Sequence, residues 1–155
     1  MAKVGRASRN ASLMRVETLT ASKTITSAET GELYLINHNA GSVLAVTLPA
    51  VKAGAYFKFI VIADMTTDAA GFSITTADGA GTLQGVCTAW EAADFSGAVS
   101  ELDGGSSSTL TIGVNAEEVH VGSSVECHCD GTNWYLIGTV IRAAGGSGGD
   151  AVAWS

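Results

Sequence analysis

From about residue 13 to residue 142 the chain repeats one arrangement: short runs of β-branched and aromatic residues, each ended by turn-forming chemistry. Such runs favour strands, because branched and aromatic side chains pack well on a pleated, half-buried surface. The spacing predicts strands near 13–20 ("LMRVETLT"), 32–37 ("ELYLIN"), 43–48 ("VLAVTL"), 56–63 ("YFKFIVIA"), 72–76 ("FSITT"), 82–88, 108–114 ("STLTIGV"), 118–129 and 133–142. The phrases between them, "NHNAGS", "PAVKAG", "TTDAAG", "ADGAG", "ELDGGSS" and "DGTN", are rich in residues that accept left-handed or turn conformations. One flat sheet of so many strands leaves both faces half wet, so the expected class is all-β, a single β-sandwich or jelly-roll-like domain. The segment 86–97, "VCTAWEAADFSG", competes for a helix through Val86, Trp90 and Ala93, but it is too short to hold one alone. It reads as an excursion between strands, with at most one helical turn. No repeat of 20 to 50 residues is visible, which argues against solenoids and propellers.

Charge divides the chain into three parts. Of its 155 residues only 15% are charged, against about 25% in ordinary soluble domains, which suggests that other protein covers much of the surface. The net charge of −7 is uneven: residues 1–23 carry Lys3, Arg6, Arg9, Arg15 and Lys23 against Glu17 alone, and the rest carries Lys52, Lys58 and Arg142 against fourteen acids. The expected organisation is a basic, extended N-terminal arm (1–23), a sandwich body (24–142) and a Gly/Ser-rich tail (143–155, "AAGGSGGDAVAWS"). Lys3, Arg6, Arg9 and Arg15 suit an acidic partner surface, whereas the acidic body repels nucleic acid. Trp154, at the end of a flexible tether, reads as an anchor for a neighbouring subunit. No secretory leader is expected, and no membrane span: the most apolar stretch, "AYFKFIVIA" at 55–63, is interrupted by Lys58 and is half of the roughly 20 residues a helical span needs.

The best candidate for chemistry is "SVECHCDGTNWYLIG" at 124–138, with two of the three cysteines and one of the three histidines. On a strand, alternate side chains share a face, so Val125, Cys127 and Cys129 go one way and Glu126 and His128 the other. Same-face neighbours lie about 6.6 Å apart, whereas two sulfurs on one zinc approach to about 3.8 Å. His38, Cys87 and His120 show no paired spacing such as CxxC or HxxxH, so metal binding is not expected and no cofactor is assigned. The cysteines read as small buried hydrophobes, with a bond from Cys87 to Cys127 or Cys129 left open. No GxSxG elbow is present, "ADGAGTLQG" lacks the residues of a phosphate loop, and Glu117 and Glu118 point apart, so an enzyme is not expected. Trp90, Trp134 and Tyr135 remain as surface or intersubunit aromatics, Trp134 and Tyr135 on opposite faces, and exposed aromatics also serve glycan sites.

Three phrases in order carry a resemblance: "ETGELYLINHNAGSVLAVTLPAVKAGAYFKFIVIADM" at 29–65, "FSITTADGAGTLQG" at 72–85 and "VGSSVECHCDGTNWYLIG" at 121–138. Together they resemble a recurrent β-rich module of tailed-phage virion proteins and, by size, are most similar to capsid decoration (cement) proteins of cyanophage and marine-phage type. The resemblance implies a non-enzymatic homotrimer seated on the major capsid protein at the outer capsid surface, where it stabilises the phage head. Similar modules occur in tail fibres and other appendages, which gives the alternative of a subunit that binds a host receptor or glycan.

Overall fold

The computed structural model describes residues 14–66, 70–77, 83–91, 97–101, 107–113, 119–142 and 152–155, with the side chains of 91 and 97–101 left aside. Its strands are β1 (Val16–Leu19), β2 (Lys23–Thr24), β3 (Leu33–Ile36), β4 (Val43–Thr47), β5 (Tyr56–Val61), β6 (Gly71–Thr75), β7 (Leu83–Glu91), β8 (Gly97–Glu101), β9 (Thr109–Ile112), β10 (Ser124–Cys129), β11 (Trp134–Arg142) and β12 (Val152–Trp154). A 3₁₀ turn spans Ser27–Glu29, and no helix of the described residues is long and apolar enough to cross a membrane.

The strands form two sheets, β1-β3-β5-β10-β11-β7-β8 and β12-β9-β6-β4-β2. The fold is an all-β sandwich. Period-two alternation sets its inside: on β5, Phe57, Phe59 and Val61 are buried while Tyr56, Lys58 and Ile60 are half exposed. Trp134, Leu136 and Val140 do the same for β11, and Leu44 and Val46 for β4. Tyr34 stacks on Phe59 at 5.4 Å between ring centroids, and Phe57 tilts against Trp134 at 5.8 Å. Each such ring contributes about 1.5–3 kcal/mol by leaving water.

The connectivity is not that of a jelly roll, whose strands pair antiparallel. The first six strands alternate between the sheets, so β1, β3 and β5 stack in parallel in one and β2, β4 and β6 in the other. That is a flattened coil. The expectation drawn from the missing sequence repeat therefore needs correction for this half of the body. Val16 stacks on Leu33 and Leu33 on Lys58, steps of unequal length, so the coil leaves no sequence period. The β10–β11 hairpin then enters the large sheet between β5 and β7.

Three further expectations change. Residues 86–91 lie in the nine-residue strand β7, because parallel pairing with β11 and burial of Cys87 and Ala89 override the helical propensity of the segment; residues 92–96 lie outside the described residues. The arm cannot reach to residue 23, since β1 and β2 belong to the sheets; residues 1–13, with Lys3, Arg6 and Arg9, lie outside the described residues. Finally, Trp154 is not a free anchor. β12 pairs antiparallel with β9 and Trp154 packs partly buried against the core of its own chain, because the apolar "VAW" completes the edge of the small sheet. The tail residues 143–151 lie outside the described residues.

Gly138 faces inward on β11, and a Cβ there would stand 2.8 Å from Cys87 Sγ and 3.2 Å from Val125 Cγ2. The missing side chain makes room for the buried sulfur. Gly138→Ala is expected to cost about 1–3 kcal/mol by overpacking, and less when Cys87→Ala removes the sulfur. A double-mutant cycle by urea denaturation reads this coupling; equal costs in both backgrounds would refute the fit.

Candidate functional site

Two places on the described molecule concentrate chemistry: the outer face of the seven-stranded sheet and a carboxylate cluster where β1 meets β2. The outer face follows from the alternation that fills the core. Its register forms rows across the strands, and the central one runs Val16, Leu33, Lys58, Glu126, Ile137, Val86. A second row runs Thr18, Leu35, Ile60, Ser124, Thr139, Thr88, and a third Tyr56, His128, Tyr135, Gln84. Ile137 is 59% exposed and Val16 56%, and Val86, Trp90 and Tyr135 are also open.

In the middle of this largely uncharged face Lys58 Nζ donates to Glu126 Oε1 at 2.7 Å. The hydrogen bond from Lys58 holds the Glu126 carboxyl below its ordinary range, and the same bond raises Lys58. His128 Nε2 stands 3.7 Å from Glu126 Oε2, and its ring lies 4.8 Å from that of Tyr56. The hairpin turn fixes the end of the face: Asp130 Oδ1 accepts from the N–H groups of Thr132 and Asn133, and Tyr135 Oη donates to Asp130 Oδ2. Those bonds, led by Asn133, lower the Asp130 carboxyl.

The expected separation of "ECHC" is what the structure has. Cys127 and Cys129 are buried, His128 is exposed on the other side, and all three cysteines are free thiols. Burial pushes the Cys87 thiol up to about 12 and raises Cys127 as well. Cys129 Sγ accepts from the N–H groups of Lys52 and Gly131, a structural role at the hairpin base. Of the aromatics, Trp90 and Tyr135 are exposed on the outer face, whereas Trp134 is fully buried against Phe57 and is not a surface residue. Its indole is packed into the core and Tyr135 faces out, one of the two choices that their opposed pointing left open.

The second place was missed in the sequence. Glu17, Glu29 and Glu32 bring carboxylate oxygens within 4.8 Å of one another. Oxygen donors of this kind suit a hard cation, but Lys23 Nζ lies 2.5 Å from Glu17 and 2.6 Å from Glu29, and Arg15 Nε lies 3.1 Å from Glu32. Two cations within the cluster offset most of the charge of its three carboxylates, and Arg15, read as a partner-binding residue, holds to its own body through Glu32 and Ala28 O while its side chain stays 65% exposed. Tyr34 Oη donates to Glu32 at 2.9 Å, and the Lys23 ammonium sits 5.2 Å from the Tyr34 ring centre. Glu29 also accepts from the N–H and the hydroxyl of Thr26 at 2.6 and 2.7 Å. The phrase "TSAE" at 26–29 is the capping-box pattern that could have flagged it.

Burial alone would raise the Glu29 carboxyl, but the hydrogen bonds from Lys23 and Thr26 overcome it and hold the group at about 2. Lys23 is likewise opposed by burial and raised by its two carboxylates. A carboxylate held low adds stability above its ordinary pKa near 4.5, lost as pH falls towards 2; a raised lysine adds stability that fades above 10.5. Lys23→Met is expected to lower stability by about 1–3 kcal/mol at neutral pH and to move the acid unfolding limb upward. Thermal melts from pH 2 to 7 check this; an unmoved acid limb would refute the clamp.

Comparison with family models, with curated proteins and with solved structures finds no match to this chain, so its function has to be read from its own residues.

Proposed function

We propose that the chain is a non-enzymatic structural subunit of a phage virion, a decoration protein that binds the major capsid protein on the outer capsid surface and strengthens the shell. The observation that carries the binding part of this reading is the outer face of the large sheet. Large hydrophobics stand open there, while many polar and charged groups of the described residues are engaged with one another: Lys23 with Glu17 and Glu29, Arg15 with Glu32, Lys58 with Glu126 and His120 with Asp64. Such a surface is suited to contact. Exposed apolar area of this kind marks interaction sites on folded proteins.

The choice of a capsid partner rests on the resemblance in the strand and turn phrases and on the basic leader. Lys3, Arg6 and Arg9 precede the first strand, and a basic segment fits an acidic shell. Many equivalent sites on a symmetric shell then turn weak single contacts into strong occupancy. The alternative, an appendage subunit that grips a glycan, draws on the exposed Trp90 and Tyr135. Tyr135 is level with Gln84, six residues along β7 from Trp90, about 20 Å at strand rise, too far to clamp one sugar ring.

Purified particles should carry the protein in hundreds of copies, by quantitative mass spectrometry against the capsid subunit; a few copies per particle would favour an appendage. Deleting residues 1–13, which leaves β1 whole, is expected to cut occupancy at least tenfold, and wild-type occupancy should fall as salt screens the basic leader. Full occupancy by the truncated protein would remove the leader from the interface.

A further inference from the structure

The outer face of the large sheet has a pattern that its own copy can satisfy. Across the six strands from β1 to β7 its central row reads apolar, apolar, positive, negative, apolar, apolar: Val16, Leu33, Lys58, Glu126, Ile137, Val86. The sign change falls between β5 and β10, with β3 and β1 on one side and β11 and β7 on the other; β8, whose Glu101 pairs with Val86, lies beyond β7 and has no counterpart in the pairing. We infer that this face docks on a second copy of the chain, about a two-fold axis that runs parallel to the strands between β5 and β10.

A rotation about that axis exchanges β5 with β10, β3 with β11 and β1 with β7. It lays Lys58 over the copy's Glu126, Leu33 over the copy's Ile137 and Val16 over the copy's Val86. The second row is uncharged throughout, with Ile60 over Ser124, Leu35 over Thr139 and Thr18 over Thr88, so it opposes no like charges. In the third, Tyr56 meets His128, the ring it already touches within its own chain. Isologous interfaces require this self-complementarity, since each residue pair occurs twice. Charge meets opposite charge, and the two most exposed aliphatics of the face, Ile137 and Val16, both find apolar partners.

The area is that of a modest interface. Six matched strands at about 4.8 Å spacing, overlapping over roughly 13 to 20 Å, give on the order of 400 Å² in projection. That is below the ~800 Å² per partner of a standard stable interface, so the dimer is expected to be a weak one. Two twisted sheets stacked this way cross at about 30° and lie about 10 Å apart.

The pairing does not depend on the capsid reading, but it covers the face on which that reading places contact, so a paired protein would meet the shell through its basic leader; it also departs from the three-fold assembly that the family resemblance implies. Sedimentation equilibrium on the full chain separates these outcomes. The expected result is a dimer. Ile137→Lys, at an exposed position that the fold does not need, should weaken it at least tenfold while circular dichroism and the melting temperature stay unchanged. If that variant loses its fold, Val86→Lys serves in its place. Lys58→Glu should also weaken the dimer, and adding Glu126→Lys should restore it, because the swapped pair is again self-complementary. A monomeric or trimeric wild type, or a dimer indifferent to Ile137→Lys and to the charge reversal, overturns the inference. Attachment to shells is measured separately, so a monomer that still decorates particles would end the pairing and leave the proposed function standing.

Discussion

The large sheet depends on one local hairpin. Its strands arrive as two groups, β1, β3 and β5 from the coiled first half and β7 with β8 from the middle of the chain. The two groups are joined only when β10 enters beside β5 and β11 beside β7. Closing β10 against β11 needs only the turn at 130–133, where the Asp130 carboxylate gathers two backbone N–H groups. Every other pairing around it spans a longer loop, whose closure costs entropy before any contact offsets it. The turn chemistry of four residues therefore sets the register of seven strands.

That register also determines what kind of surface the protein presents. Because side chains alternate strictly, placing Cys127 and Trp134 in the core obliges Glu126, His128 and Tyr135 to face out. The residues that stabilise the interior and those offered for contact are thus chosen together, and a one-residue slip would exchange them. Three thiols gathered on the inner side are shielded by the same rule, and burial keeps Cys87 and Cys127 protonated at neutral pH.

Much of this was legible in the sequence, and the reasons are specific. β5 and β10 could be read because their apolar residues alternate, and the separation of His128 from the cysteines followed from that alternation alone. β2 was not legible: two residues, Lys23 and Thr24, form a strand only because β4 lies beside them. The second half of β7 competed for a helix because good helix formers and the spacing of Val86, Trp90 and Ala93 suit one, and its neighbour β11 decides otherwise. The coil went unseen because its turns differ in length. The Lys23 cluster was hidden for another reason: Glu17, Lys23, Glu29 and Glu32 are ordinary surface residue types, spread along the chain and brought together by crossing between sheets. Trp154 shows the opposite error, a side chain read as free that its own sheet claims.

The Lys23 cluster has one more consequence, for how the molecule can associate. β1 ends one sheet and β2 ends the other on the same side of the sandwich, and an open strand edge is a template for a further strand from another molecule. Here that side is closed by charges pointing between the sheets, with Lys23 bridging Glu17 on β1 and Glu29 beyond β2. A strand added there would have to bury an ion cluster or break it. Lengthening the sheets from this edge is thereby disfavoured, which leaves stacking on a face as the cheaper way for two copies to meet.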